Sequence, residues 1–90
     1  MIDIEYSSTA FLSLEALPQQ VAFNIATLIE YLRTNPEMGK IVNIKNAPPK
    51  RYRMLIFRGS HRVIYEYDYE ANCVFVGYVQ DCRQKLSKSA

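Results

Sequence analysis

Ninety residues with a net charge of +2, nearly half of them hydrophobic, suffice for one compact domain over 1–90 with a modest core. No apolar run approaches the ~18 residues of a membrane span, and Met1-Ile2-Asp3-Ile4-Glu5 has no signal-peptide pattern, so the expected place is the cytoplasm and no membrane partner is expected. One histidine and two cysteines nine residues apart (Cys73, Cys82) have no companions at a zinc spacing, so reduced thiols, no metal and no cofactor are expected.

In chain order, Ile2 and Ile4 alternate with Asp3 and Glu5, which predicts a short strand ending near Tyr6. Ser7, Ser8 and Thr9 offer cap oxygens for a helix running to Leu17. Pro18 then opens a second helix, where Val21, Ile25, Leu28, Ile29 and Leu32 form one apolar stripe. Asn35-Pro36 ends it. A loop follows with Gly39, Asn43, Asn46 and Pro48-Pro49. Residues 51–58 and 62–69 alternate as two strands around a tight Gly59-Ser60 turn, and Glu70-Ala71-Asn72 leads into a third strand over 73–79. From Gln80 the chain is polar, and 84–90 is expected to fray. The pattern predicts an α+β domain: an N-terminal strand, a two-helix antiparallel hairpin, then a three-stranded antiparallel meander, with the helices packed on one sheet face.

Charge is segregated along this plan. Lys40, Lys45, Lys50, Arg51, Arg53, Arg58 and Arg62 fall in one 23-residue stretch without a carboxylate, while the flanking segments are acidic. Such a stretch suits phosphate binding, and equally a solvated edge that blocks strand-to-strand aggregation. If Tyr52 and Ile56 face the helices with Val63 and Tyr65, then Arg53 and Arg62 share the opposite, open face. Two guanidiniums there would grip a phosphodiester bidentately, with Arg51 and Arg83 extending the set. Leu55, Phe57 and Ile64 would make the same face half apolar, which suits a protein contact.

Leu17-Pro18, Tyr52-Arg53-Met54-Leu55, Gly59-Ser60-His61-Arg62-Val63-Ile64-Tyr65 and Val74-Phe75-Val76 leading to Arg83 together resemble the RelE/ParE superfamily of bacterial toxins, from Ile4 to Arg83. The resemblance implies a toxin of a type II toxin–antitoxin system, held by a cognate antitoxin whose acidic or amphipathic segment would pack on the basic sheet face. RelE-like members cut mRNA on the ribosome. ParE-like members instead inhibit DNA gyrase. Position by position, the resemblance puts Arg53 on the first strand base of the nuclease type, Arg62 on its Gly-x-x-Arg arginine, and Arg83 at or one place beyond its last-strand arginine. The chain departs from that type at Leu55, where a second lysine is common, at Gln80-Asp81-Cys82, and around Leu86, where no tyrosine stands.

Three functions remain open on these residues. A metal-independent endoribonuclease leads: Arg53, Arg62 and Arg83 would stabilise the phosphorane, His61 would serve as acid or base, and Lys50, Arg51 and Arg58 would bind RNA. For His61 an exposed turn residue is the plainer reading, and Asp81 and Tyr78 are weaker acid–base candidates. The alternative is a non-enzymatic inhibitor of gyrase. The third is an inactivated relative that binds only its antitoxin, with Arg53 and Arg62 paired to Glu66 and Asp68.

Overall fold

The computed structural model describes residues 1–83; the tail 84–90 and the Leu86 comparison lie outside the described residues. Strand β1 (Asp3–Tyr6) leads to helix α1 (Ser8–Glu15), helix α2 (Gln19–Glu30) and one 3-10 turn (Tyr31–Arg33). Strands β2 (Lys40–Val42), β3 (Tyr52–Phe57), β4 (His61–Asp68) and β5 (Cys73–Asp81) complete one five-stranded sheet in the order β1-β5-β4-β3-β2. The expected α+β plan holds, with an added edge strand.

Local chemistry accounts for the helix boundaries. The Ser7 Oγ accepts the Ala10 N–H at 3.0 Å, capping α1, and donates to the Gly77 carbonyl at 2.7 Å. One side chain thus ties the helix start to β5. Pro18 sits at the cap of α2, one place earlier than the sequence pattern suggested, and its carbonyl accepts the Ala22 N–H. The stripe lands where the periodicity put it: Ile25, Ile29 and Leu32 are fully buried, with Val21 and Leu28 packed at the margin. They lie against Leu55, Val63, Tyr65, Val74, Val76 and Val79.

Four features of the sheet differ from the sequence pattern. The segment Lys40-Ile41-Val42 forms the edge strand β2, antiparallel to β3, inside what reads as a loop. Three residues are too few to show a period. The first strand also pairs parallel with the last, Ile4 beside Val74 and Tyr6 beside Val76. In addition, β5 runs on through Gln80 and Asp81, pairing them with Arg62 and His61. A bulge between Ile64 and Tyr65 leaves Gly77 as the extra residue on β5.

Candidate functional site

Strand register decides which side chains can meet, and here it overturns the central expectation. Phe57 pairs with His61, Ile56 with Arg62, Leu55 with Val63 and Arg53 with Tyr65. Paired residues share a face. Arg53, Leu55, Phe57, His61, Val63 and Tyr65 therefore point to the helices, while Tyr52, Met54, Ile56, Arg62, Ile64 and Glu66 point away. Arg53 and Arg62 stand on opposite faces.

The cause is the hairpin loop. A two-residue Gly59-Ser60 turn would pair Arg58 with His61 and set odd positions of one strand against even positions of the other. The loop instead holds three residues, Arg58, Gly59 and Ser60. Arg58 and Gly59 both adopt positive φ (49° and 72°), and the Ser60 N–H closes onto the Phe57 carbonyl at 3.0 Å. One residue of loop length exchanges the faces of a whole strand.

Each arginine is then committed locally. Arg53 donates through Nη1 to the carbonyls of Glu37 (3.2 Å) and Gly39 (2.8 Å), and its Nη2 lies 3.7 Å from the Glu37 carboxylate. It clamps the loop before β2. Arg62 is 8% exposed, the one buried charged residue among those described. Its Nε donates to Gln80 Oε1 and its Nη1 to the Cys82 carbonyl, both at 3.2 Å. Arg83 is exposed and closes on Asp81 through Nε (3.0 Å), Nη2 (2.8 Å) and its own N–H (2.9 Å). Those bonds, with the His61 charge adding, hold the Asp81 carboxyl well below the usual carboxylate range.

His61 faces the helix side beside Asp81, its cross-strand partner, and Nδ1 shares a 2.9 Å hydrogen bond with Ser60 Oγ. Arg62, its neighbour in sequence, projects to the other face. The face away from the helices is not the basic surface expected either. Ile64 is 1% exposed there, and the rows Asp3–Cys73–Asp68 and Glu5–Phe75–Glu66 bring four carboxylates onto it. Asp3, Glu5 and Asp68 all push the Cys73 thiol up, behind the larger effect of burial. Leu55 and Phe57 are core-side residues, so only Ile64 of the expected apolar trio accompanies Arg62.

The remaining cations of the basic stretch lie at the β2–β3 edge and the hairpin tip. Lys50 is exposed, with φ 62° and its N–H bound to Asn43 Oδ1 at 3.1 Å. Arg51 pairs with Glu66 at 2.8 Å, which raises its pKa, and lies over the Tyr52 ring. Arg58 sits over the Phe57 ring at the hairpin tip. Thus Arg51, not Arg53 or Arg62, takes Glu66. Tyr78 shares the far face with Glu66 and Phe75 in a small pocket of about 120 Å³.

Among the described residues no group of His, Cys, Asp or Glu is gathered in a way that could hold a metal. Cys73 and Cys82 carry free thiols, and no described helix is long and apolar enough to cross a membrane. An apolar concavity lies between the two helices and the end of β1: Tyr6, Phe11, Leu14, Ala22, Phe23 and Ala26 line about 460 Å³, with Phe11 and Phe23 more than half exposed. The α2 stripe of Val21, Ile25, Leu28, Ile29 and Leu32 leaves Phe23 off the buried face, and that was the signal in the sequence for this surface.

Residues 4–86 match the family model for the ParE toxin of the type II toxin–antitoxin system parDE. No curated protein matches the chain. Among solved structures, a chain of the intact E. coli RelBE toxin–antitoxin complex is similar at TM-score 0.75 and 16% identity, over 93% of this chain and all of that one. The isolated E. coli RelE toxin is similar at 0.72 and 15% identity, over 100% and 88%. A chain of the RelBE2 complex of Mycobacterium tuberculosis is similar at 0.69 and 22% identity, over 89% and 96%. At these identities the likeness is one of fold.

Proposed function

The chain belongs to the ParE toxin family of type II toxin–antitoxin systems, and on that premise we propose that it acts by binding its target, DNA gyrase, rather than by cutting mRNA. The observation that carries this reading is the divergence of the guanidiniums. RNA cleavage through the 2′-hydroxyl places new negative charge on one phosphate, and donors stabilise it only where they converge on that point. Arg53 is turned to the helix side and spent on backbone carbonyls, Arg62 is bound on the other face, and Arg83 is neutralised by Asp81. A binding inhibitor needs no such convergence.

The cognate antitoxin is the expected partner, a reading supported by the toxin–antitoxin complexes among the fold neighbours. We place its amphipathic segment on the exposed apolar surface of Phe11, Leu12 and Phe23, since the sheet face away from the helices carries carboxylates instead of a basic surface.

Two reactions test the proposal together. Purified protein is added to a gyrase supercoiling assay and, separately, to a translating extract with mapped mRNA ends. Lost supercoiling with intact mRNA is the expected result. New mRNA ends that disappear with Arg62→Ala would restore the nuclease and end this reading.

A further inference from the structure

The basic stretch becomes a place in the fold once the strand order is known. Its first part, Lys40 to Arg53, lies at one end of the sheet, on β2, β3 and the loop between them, while Arg58 is at the hairpin tip and Arg62 on β4. The opposite end is β1, which carries Asp3 and Glu5. From this polarity we infer that the β2–β3 edge docks on the phosphate backbone of duplex DNA.

Lys40, Lys45, Lys50 and Arg51 are all exposed on this edge. No carboxylate occurs in the sequence between Glu37 and Glu66, and those two are engaged with Arg53 and Arg51 respectively. Lys40 stands two residues along β2 from Val42, about 7 Å. Lys45, Lys50 and Arg51 follow beyond Val42, whose partner is Tyr52, and since Arg51 is paired with Glu66 the lysines supply the contacts. The result is a row of cations along one rim, with like-signed repulsion of DNA left to the far rim.

The loop is built to hold that row. Ile44 is buried at 6% exposure, the Ala47 N–H returns to the Ile44 carbonyl at 3.0 Å, and Asn43 Oδ1 ties down the Lys50 N–H. Asn46 and Lys50 take left-handed φ on either side of Pro48-Pro49. These ties lower the backbone entropy lost when a ligand binds. Edge lysines also guard sheets against aggregation, which would explain Lys40 on β2. It does not explain a pinned loop presenting Lys45 and Lys50 where there is no strand ladder to protect.

Duplex DNA is favoured over a single strand by the position of the rings. Single-strand binders stack bases on exposed aromatics. Here the exposed rings are Phe11, Phe23, Tyr31, Tyr69 and Phe75, none of them on this edge, and Tyr52 is half-buried beside Arg51. The edge offers charge without a stacking platform.

The inference is independent of the target proposed above and is tested without gyrase. Anisotropy of a labelled mixed-sequence duplex of about 20 base pairs is followed with the full chain between roughly 50 and 200 mM salt, beside a single-stranded RNA of equal length. Three phosphate contacts predict a log–log salt slope of about −3, at about −0.9 per contact. The exposed pair Lys40→Gln/Lys45→Gln should shallow that slope by about 2 and weaken binding by about tenfold or more at the lowest salt, while Asp3→Asn/Glu5→Gln should not weaken it. No duplex binding, unchanged binding by the lysine variant, or preference for the RNA would overturn the inference. Supercoiling inhibition that persists without duplex binding would remove this edge while leaving the gyrase reading intact.

Discussion

The Tyr65 hydroxyl accepts the Gly39 N–H at 2.9 Å and lies 2.9 Å from the point where a Gly39 side chain would begin. The same hydroxyl donates to the Pro36 carbonyl at 2.7 Å, and Arg53 takes the Gly39 carbonyl from the neighbouring strand. A fully buried phenol and a guanidinium, paired across β3 and β4, thus hold the turn that launches β2. Gly39→Ala should cost about 1–3 kcal/mol, because Met54 O is backbone and also lies at 2.9 Å from the new methyl. Chemical denaturation measures it.

Removing the hydroxyl tests the same clamp from the other side. Tyr65→Phe leaves the Gly39 N–H and the Pro36 carbonyl without that partner and should cost about 1–3 kcal/mol. It should also change the alkaline limb. Burial raises the Tyr65 pKa above its ordinary value, as it does for Tyr6. The folded state then keeps a proton that the unfolded chain releases, so stability falls as pH rises above about 10. Tyr65→Phe should flatten that fall in a pH series of melts.

Arg53→Ala separates the clamp from a catalytic role. The expected loss is about 1–2 kcal/mol of stability, since two carbonyls lose a charged donor. Supercoiling inhibition per mole of folded protein should stay within about twofold of the parent, a ratio worth about 0.4 kcal/mol. A large loss of inhibition by a protein that melts normally would return Arg53 to the site.

Asp81 has the opposite pH sign. Its carboxyl is depressed by Arg83, so the stabilisation from this pair is present above the ordinary carboxylate range and is lost only as pH falls through the lower folded value. Carboxyl NMR titration should find the Asp81 midpoint below the ordinary carboxylate range, with Arg83→Gln moving it up. An ordinary midpoint in the parent would mean that the Arg83 fork does not persist in solution.

The hairpin tip carries the register, and Gly59 is the place to strain it. A methyl there meets nothing within 4 Å, so only φ +72° opposes it. Gly59→Ala should cost about 1 kcal/mol. Gly59→Asn should cost less and Gly59→Val more, because Asn tolerates left-handed backbone and a β-branched side chain does not. Denaturation midpoints of the three variants give the order.

Alternation and capping chemistry act over neighbours in sequence, and what depends on neighbours could be read directly. The α2 stripe, the Ser7 cap, the three long strands and the helix-covered sheet all follow from residue spacing. The segregation of charge was legible too, though as a stretch rather than an edge. Relations between distant segments were not. Nothing near Ile4 announces that it runs parallel to Val74, or that Asp3 and Glu5 will set carboxylates beside Cys73 and Phe75.

Side-chain order along the chain determined the elements, because helix and strand periods are properties of consecutive residues. Tertiary structure alone decided which arginine looks which way. A strand presents alternate faces every residue, so one extra residue at Arg58-Gly59-Ser60 sent Arg53 to the helices and left Arg62 on the other side.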